Sequence, residues 1–510
     1  MKSFDKPLFK NTVKCWVIIL VTILLSAISI RIYQLDNNPV GFFCDEASIG
    51  HNAYTLLHYQ TDEHYKKFPI FFEAFGEYKT PVAIYLTLPL IAVFGSNEFS
   101  IRLLSVIFGI ITIIFTSLIA KELFGKKISI LTAFFSSTMP WLIHYNRTGF
   151  ELNTYLGLFS LTVYLFIKSQ GNSKIIIPAF FSAAITLYSY FPARIIIPTL
   201  LFGFLVIFHK KFLRNKILAV IGILLFLIIS LPLIFSFFSE SGVARFNMVS
   251  VFSQKLPLTE TLLKIFENYT VQFSPKYLFY GENTPILRHF SNGLSPLLGI
   301  TIPFVYLGIL TTFLKYKSTS SKILILWLVL YPIAGAITFD PPFTSRSIIG
   351  APLFAIFIST GFLNPICLLK KTIPPKLAIT VLLIAVLLNF GFFLKFYFQV
   401  YPKISWGFWG WQYGAKEIVE YFSTNQKFYD ELIMAPEFNK PEIFFKFYAP
   451  NSCQKCLVGL PSDSYKPGVK QLFAVTQEYI HNNQTLTYEV IKTIQSPSNT
   501  PAFYIIKIIY

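Results

Sequence analysis

The chain has 510 residues, of which 54% are hydrophobic and only 13% are charged, and its mean hydropathy is +0.57. This composition excludes an ordinary soluble domain. The net charge of +18 does not indicate a nucleic-acid partner, because the basic residues lie mainly in short clusters between apolar runs and no groove pattern of aromatic and basic residues appears. These runs are about 16–24 residues long, enough to span a bilayer. The sequence therefore predicts an α-helical polytopic membrane protein.

The chain begins with a lysine-containing stretch that is followed by an apolar run at 15–32. This run is long for a signal peptide, and no convincing small-residue cleavage site follows it. Basic residues that flank a span favour the cytoplasmic side. We therefore expect an uncleaved anchor in the plasma membrane with the N-terminus inside.

Residues 33–98 are predicted to form the first outer loop. Seven of the 25 acidic residues lie in it before the apolar run at 81–94. The adjacent carboxylates Asp45 and Glu46 suit a general base at the membrane surface, although such a pair also solvates a loop or caps a helix. The run at 81–94 contains Pro89 and has about 14 residues, so its length favours an interfacial or re-entrant helix over a span.

Basic clusters between the later apolar runs indicate the orientation of the spans, since loops with such clusters favour the cytoplasmic side. With the anchor, these runs give about eleven spans within a transmembrane domain at 1–397, and a second large outer loop at 239–295. The runs lie at 99–120, 128–143, 150–168, 175–189, 193–209, 216–238, 296–314, 323–338, 346–365 and 376–397.

Residues 398–510 contain more charged residues and short β-like runs. We expect them to form a small α/β domain outside the membrane. The predicted elements are a helix at Ala415–Tyr421 and strands at Glu431–Met434, Leu472–Thr476 and Ala502–Ile509.

Two of the five cysteines, Cys453 and Cys456, have motif spacing. One C-x-x-C supplies at most half of a zinc site, and no second cluster of His or Cys completes it. The spacing favours a local disulfide or two free thiols, and no metal site is predicted.

Ionisable residues collect at the predicted outer ends of the spans and in the outer loops, whereas a transporter places polar groups near the midplane. A carboxylate such as Asp45 can take a proton from an acceptor hydroxyl, while Lys and Arg can hold a phosphate leaving group. No glycine-rich phosphate loop is present, so a bound phosphate would belong to a lipid. The candidate phosphate ligands are Lys79, Arg288 and Arg346, and Glu46 is assigned a supporting role beside Asp45.

Four further residues are candidates for substrate binding. For each one a structural role is an open alternative, since arginines anchor helix ends in headgroups and a loop histidine usually forms ordinary hydrogen bonds. These residues are Arg102, Arg147, Arg194 and His289.

Several motifs resemble the superfamily of protein O-mannosyltransferases and aminoarabinose transferases, which are GT-C membrane glycosyltransferases. The resemblance covers about residues 15–400. It rests on Asp45-Glu46 after the first span, Glu77-Tyr-Lys79-Thr-Pro81, Phe94-Gly95, Ile101-Arg102-Leu-Leu-Ser105, Arg147 with Glu151, Phe273–Gly281 with Arg288-His289, and Arg346-Ser-Ile-Ile-Gly-Ala-Pro352. The family often has Lys-Pro-Pro where this chain has Lys79-Thr80-Pro81.

The resemblance implies an inverting glycosyltransferase that moves a sugar from a polyprenyl phosphate to a hydroxyl of a protein, lipid or glycan outside the membrane. It places Asp45 on the catalytic base and Lys79 on a lysine that contacts the lipid phosphate. The chain lacks the clustered acidic metal ligands of oligosaccharyltransferases, so a metal-independent reaction without a cofactor is expected. The alternatives are aminoarabinose-type transfer to a lipid phosphate and a non-catalytic flippase or assembly protein.

Overall fold

The computed structural model describes residues 12–281, 286–289, 293–339, 343–369, 374–450 and 452–509. α-Helices make up most of this part of the chain. The predicted cytoplasmic lysines before residue 12 and at 370–371 lie outside the described residues, as do parts of the predicted loop at 239–295.

The first half of the chain forms thirteen of the described α-helices. They are α1 (Thr12–Ile32), α2 (Cys44–Tyr59), α3 (Pro81–Phe94), α4 (Glu98–Phe124), α5 (Lys126–Thr138), α6 (Pro140–Tyr145), α7 (Leu152–Lys168), α8 (Ile176–Leu187), α9 (Ala193–Ile207), α10 (His209–Arg214), α11 (Lys216–Ser236), α12 (Glu240–Val249) and α13 (Leu258–Val271). The strands β1 (Phe72–Ala74) and β2 (Glu77–Lys79) pair antiparallel between α2 and α3.

The second half of the helical body runs to residue 404. Its helices are α14 (Ile302–Leu314), α15 (Thr319–Leu330), α16 (Ile333–Ala336), α17 (Gly350–Leu369), α18 (Pro375–Lys395) and α19 (Tyr401–Ile404). Helix α4 packs against α5 and α7, and α14 packs against α17, so the buried apolar core lies among these helices.

Each of the eleven predicted spanning runs overlaps a helix, but the helices differ from the runs in length. Within the residues that the structure describes, four helical stretches are long and apolar enough to cross a membrane, and other apolar helices are shorter. The four stretches are Glu98–Phe124, Lys216–Ser236, Thr319–Ala336 and Pro375–Ile404. The predicted interfacial helix at 81–94 is a helix of 14 residues with Pro89 inside it.

Two predicted runs are interrupted by proline. The run at 128–143 divides into α5 and α6 at Pro140, and the run at 323–338 divides into α15 and α16 beside Pro332. Proline lacks the amide hydrogen that an α-helix needs and disfavours helical backbone in the residue before it. The sequence analysis missed both interruptions because it judged these two runs by their apolar length and did not weigh Pro140 and Pro332.

The C-terminal residues form a five-stranded mixed sheet with strand order β4–β3–β5–β7–β6. The strands β3, β4 and β5 are parallel, and β7 pairs antiparallel with both β5 and β6. The predicted helix and all three predicted strands are found; the strand at Glu431–Met434 has the predicted ends, and the ends of the other three elements are shifted. The elements are α20 (Ala415–Asn425), β3 (Glu431–Met434), α21 (Glu442–Tyr448), β4 (Cys456–Val458), α22 (Pro461–Ser464), β5 (Gln471–Thr476), α23 (Gln477–Asn482), β6 (Tyr488–Gln495) and β7 (Pro501–Ile508).

Helix α21 packs directly on α2, and this contact connects the C-terminal sheet to the helical body. The rings of Phe42 and Phe447 stack with centroids 4.9 Å apart. A Cβ atom on Gly50 would lie 2.3 Å from the Phe447 ring, so the contact requires glycine at this position of α2. Lys416 and Tyr448 both bond to the carboxylate of Glu98 at the start of α4. The C-terminal part therefore holds α2 from one side.

Candidate active site

A cavity of about 280 Å³ lies where the N-terminal end of α2 meets the hairpin β1–β2 and the loops after α6, α8 and α16. It brings together Asp45 and all three predicted phosphate ligands, although they are as far apart as 301 positions in sequence. The lining residues are Phe43, Asp45, Ile49, Glu77, Lys79, Phe150, Glu151, Leu152, Tyr190, Phe191, Arg245, Ile286, Arg288, His289, Ser345 and Arg346.

Asp45 and Lys79 form an ion pair inside this cavity. Asp45 lies in the first turn of α2, where a carboxylate complements the helix dipole, and Lys79 ends β2. The Lys79 Nζ lies 2.6 Å from Oδ1 of Asp45; the Lys79 side chain is 6% exposed, and that of Asp45 is 37% exposed. Burial raises the pKa of Asp45, but the charge and hydrogen bond of Lys79 outweigh it and hold the pKa below its ordinary value.

Glu151 is a second carboxyl in the cavity that the sequence analysis gave no catalytic role. Its Oε1 accepts a hydrogen bond of 3.0 Å from the backbone N–H of Thr80, the residue next to Lys79. Burial raises the pKa of Glu151 from its ordinary 4.5 to about 7, although Lys79 and the Thr80 bond act in the opposite direction. Near neutral pH this carboxyl is therefore divided between its neutral and charged forms.

Arg245 is a cavity residue that the sequence reading missed. It lies on α12, within the predicted loop at 239–295, and its Nη1 is 2.5 Å from Oε2 of Glu77 on β2. No motif surrounds it in the sequence. A basic residue in a predicted outer loop was the available signal, and many other lysines and arginines share it.

Arg288 and Arg346 enter the cavity from two different loops. The Arg288 guanidinium lies 4.1 Å from the centre of the Phe43 ring, which is a cation–π distance. Arg346 donates from Nη1 to the hydroxyl of Thr338 at 3.1 Å. The adjacent His289 also lines the cavity, and burial, followed by the charge of Arg288, lowers its pKa well below the ordinary value, so its imidazole is neutral.

The charges in the cavity do not cancel. Four basic side chains line it against three carboxyls, and one of those carboxyls, Glu151, is partly protonated near neutral pH. The surplus is positive, and three of the four cations are arginines, which can contact two oxygens of one phosphate. The cavity can therefore bind an anionic group beside a carboxylate that can accept a proton.

Glu46 is buried and does not line the cavity, and its supporting role beside Asp45 stays a prediction. Its side chain and that of Arg102 are both 0% exposed and form an ion pair of 3.0 Å. Glu46 also accepts from the backbone N–H groups of Phe43 and Gly149. Arg102 donates further to the carbonyl of Gly41 at 2.6 Å. The pair ties the start of α2 to α4 and to the chain before α7.

Arg102, Arg147 and Arg194 do not line the cavity, and their contacts favour the structural alternative that the sequence left open. Arg147 is fully buried and donates to backbone carbonyls at the end of α1 and after it, including those of Ile30 and Asn38. Arg194 lies 4.2 Å from the centre of the Phe191 ring and donates to a backbone carbonyl. Both arginines hold backbone segments in place.

The two motif-spaced cysteines are joined. Cys453 and Cys456 form a disulfide between α21 and β4. This confirms the local disulfide that was one of the two alternatives left open by the sequence.

Comparison with known proteins agrees with the motif resemblance. Residues 78–235 match the family model of dolichyl-phosphate-mannose-protein mannosyltransferase. This segment runs from β2 to α11 and includes Lys79 and Glu151. No curated protein sequence gives a significant match.

Two solved membrane proteins are similar in fold. ArnT from Cupriavidus metallidurans, bound to undecaprenyl phosphate, is 11% identical with a TM-score of 0.58, and the alignment covers 97% of this chain and 98% of that one. The oligosaccharyltransferase of Archaeoglobus fulgidus, tethered with an acceptor peptide, is 13% identical with a TM-score of 0.57, covering 96% and 74%. The family model and both likenesses support the assignment of this chain to the GT-C superfamily of membrane glycosyltransferases.

Proposed function

We propose that the protein transfers one sugar from a polyprenyl phosphate to an acceptor hydroxyl, with inversion at the anomeric carbon. The observation that carries the proposal is the cavity in which Asp45, with the carboxyls of Glu77 and Glu151, lies among four cations. The fold of the GT-C superfamily supports it, since ArnT, which shares the fold over its whole length, binds undecaprenyl phosphate.

The cations would stabilise the leaving group. As the bond between the anomeric carbon and the phosphate oxygen breaks, negative charge develops on the lipid phosphate. Preorganised positive groups in a site with little water stabilise such charge strongly. Lys79, Arg288 and Arg346 take this role, and Arg245, which pairs with Glu77 at the same cavity, adds to it.

Asp45 would act as the general base. Its oxygen takes the proton of the acceptor hydroxyl while the acceptor oxygen bonds to the anomeric carbon, and polyprenyl phosphate leaves. In the structure Lys79 lowers the pKa of Asp45 and so weakens the base. A donor phosphate that attracts Lys79 reduces this effect, and the partly buried carboxylate then becomes more basic.

We also propose the orientation of the chain. The N-terminus is inside, about eleven helices span the plasma membrane, and the loops at 33–98 and 239–295 and the domain at 398–510 lie outside. Support comes from the cavity, whose lining residues belong to the predicted outer loops and helix ends. The packing of α21 on α2 supports a shared side for the first loop and the C-terminal domain.

A second candidate is aminoarabinose-type transfer to a lipid phosphate. The positive surplus in the cavity and the lowered pKa of Asp45 favour it, because a phosphate acceptor is already ionised and needs no strong base. A hydroxyl acceptor and a phosphate acceptor therefore differ in how strongly turnover depends on Asp45.

The test is transfer of radiolabelled sugars from a panel of polyprenyl phosphates to protein, glycan and lipid acceptors by purified protein. Asp45→Asn should reduce transfer to a hydroxyl by about 10²–10⁴-fold. Asp463→Asn on α22 is the matched control, because that carboxylate is exposed and remote in the fold. Wild-type turnover with Asp45→Asn would exclude the hydroxyl mechanism, and labelling of lipid phosphate alone would favour the second candidate. Absence of transfer with every donor would refute a transferase and leave the flippase alternative.

A further inference from the structure

The hydroxyl of one buried tyrosine connects the two loops that carry the candidate phosphate-binding arginines. The Tyr145 oxygen lies 2.9 Å from Nδ1 of His289 and 2.9 Å from Oγ1 of Thr344. His289 directly follows Arg288, and Thr344 lies two residues before Arg346. One hydroxyl therefore bridges segments that are separated by more than fifty residues in sequence.

Two neighbours of Tyr145 on the short helix α6 bond to the same loops. The indole Nε1 of Trp141 donates to the carbonyl of Thr344 at 3.0 Å, and Nε2 of His144 lies 2.9 Å from the carbonyl oxygen of Arg288. Trp141, His144 and Tyr145 are all 0% exposed. Buried hydrogen bonds without competing water fix the groups that they join. Helix α6 is thus a common support for both arginine loops.

The bridge links the direction of its hydrogen bonds to the tautomer of His289. A hydroxyl carries one proton, so Tyr145 can donate to only one of these two partners. If it donates to Nδ1 of the neutral imidazole, the hydroxyl of Thr344 donates to Tyr145 and the histidine proton resides on Nε2. The reverse direction places the histidine proton on Nδ1. In both arrangements the two loops remain connected through the same oxygen.

We propose that Tyr145 is a positioning residue that holds the Arg288 loop and the Arg346 loop at one spacing, so that both guanidinium groups contact the same phosphate. This inference rests on the proposed function, because it requires a phosphate in the cavity. Tyr145 itself does not line the cavity. Its effect is transmitted through the two loops. A displacement of such groups by about 1 Å can reduce the rate about 10²-fold.

The first test is Tyr145→Phe, which removes the hydroxyl and keeps the ring. Binding of undecaprenyl phosphate and of undecaprenol to purified protein is measured side by side. We expect the affinity for undecaprenyl phosphate to fall about tenfold, with a matching rise in the donor KM, because two hydrogen bonds are lost. The affinity for undecaprenol should not change, since it lacks the phosphate. General loosening of the fold would reduce the affinity for both ligands equally.

Tyr155→Phe on α7 is the matched control. Tyr155 is also 0% exposed, but its hydroxyl has no hydrogen-bond partner among the residues that the structure describes, so its removal should leave both affinities unchanged. Thr344→Val removes the other end of the bridge and should reduce phosphate affinity as Tyr145→Phe does. The double variant should bind undecaprenyl phosphate as tightly as the single variant with the lower affinity, because both substitutions break the same bridge. Thr344→Val also serves if Tyr145→Phe does not fold.

The outcomes separate the positioning role from the proposed function. If wild-type protein binds undecaprenyl phosphate no better than undecaprenol, the proposed function fails, and the inference fails with it. If wild-type protein prefers the phosphate and both Tyr145→Phe and Thr344→Val keep that preference, the positioning role is refuted while the proposed function stands. Fully additive losses in the double variant would show that the two hydroxyls do not act through one bridge.

Discussion

Replacement of Glu151 by glutamine should remove a pH-dependent loss of stability. The pKa of this carboxyl is raised by burial from 4.5 to about 7. In the unfolded chain it ionises near its ordinary value, so the folded state is stabilised by this group below pH 4.5 and loses that stability as the pH rises to about 7. Each tenfold change in proton affinity corresponds to about 1.4 kcal/mol, so the loss above pH 7 is about 3 kcal/mol.

Glu151→Gln retains an oxygen that can accept from the N–H of Thr80 but carries no ionisable proton. Thermal unfolding of both proteins in detergent from pH 4 to pH 9 is the assay. We expect the melting temperature of the variant, relative to wild type, to rise by a few degrees between pH 4.5 and pH 7 and then to stay constant. Glu73→Gln is the control, because Glu73 is an exposed carboxylate in a surface ion pair of small energetic value. Parallel melting curves for Glu151→Gln and wild type across this range would refute the raised pKa.

Three further results are expected. Arg346→Lys should retain only part of the donor affinity that Arg346→Ala loses, because lysine does not offer the planar fork that contacts two phosphate oxygens. Equal donor affinity of Arg346→Lys and wild-type protein would contradict a bidentate contact. Arg102→Met should reduce the free energy of unfolding by about 3–5 kcal/mol by leaving the buried carboxylate of Glu46 unpaired, and adding Glu46→Gln should recover part of it; an unchanged melting temperature in the single variant would count against this ion pair. Cysteines introduced at Ser96 and Ser462 should react with an impermeant reagent from outside; labelling of the Ser96 site only from the cytoplasm would mean that α3 spans the membrane.

The helical body was predictable where apolar length alone determines the structure. All eleven predicted runs overlap helices, and the predicted C-terminal helix and three predicted strands lie within two residues of their observed starts. The helices α12 and α13 in the loop at 239–295 were not predicted, because that reading used long apolar runs and these helices are shorter and more polar. Local polarity does not reveal which short segments will pack on the body.

The site was predictable in part for a different reason. Asp45 and Lys79 lie close in sequence and in recognisable motifs, so their proximity in one cavity could be expected. Arg102 and Arg147 resembled substrate-binding arginines in sequence, but they are buried by backbone carbonyls of the segment at 30–41. A charged side chain that binds backbone and one that binds ligand carry the same sequence signal. Only the folded path of the chain distinguishes them.

Lys79 is the residue through which phosphate binding and base strength are connected in the proposed reaction. Before the donor binds, its ammonium is 2.6 Å from Asp45 and keeps that carboxylate a weak base. Glu151, bonded to the neighbouring Thr80, is the other carboxyl near this ammonium, and its charge increases as the pH rises through about 7. A donor phosphate competes with both carboxyls for one lysine. When the phosphate binds Lys79, partial burial is the main remaining influence on the pKa of Asp45. Burial raises the proton affinity of a carboxylate. In the proposed reaction the base is therefore strengthened only when a leaving group is in place, so proton abstraction is coupled to the presence of the donor.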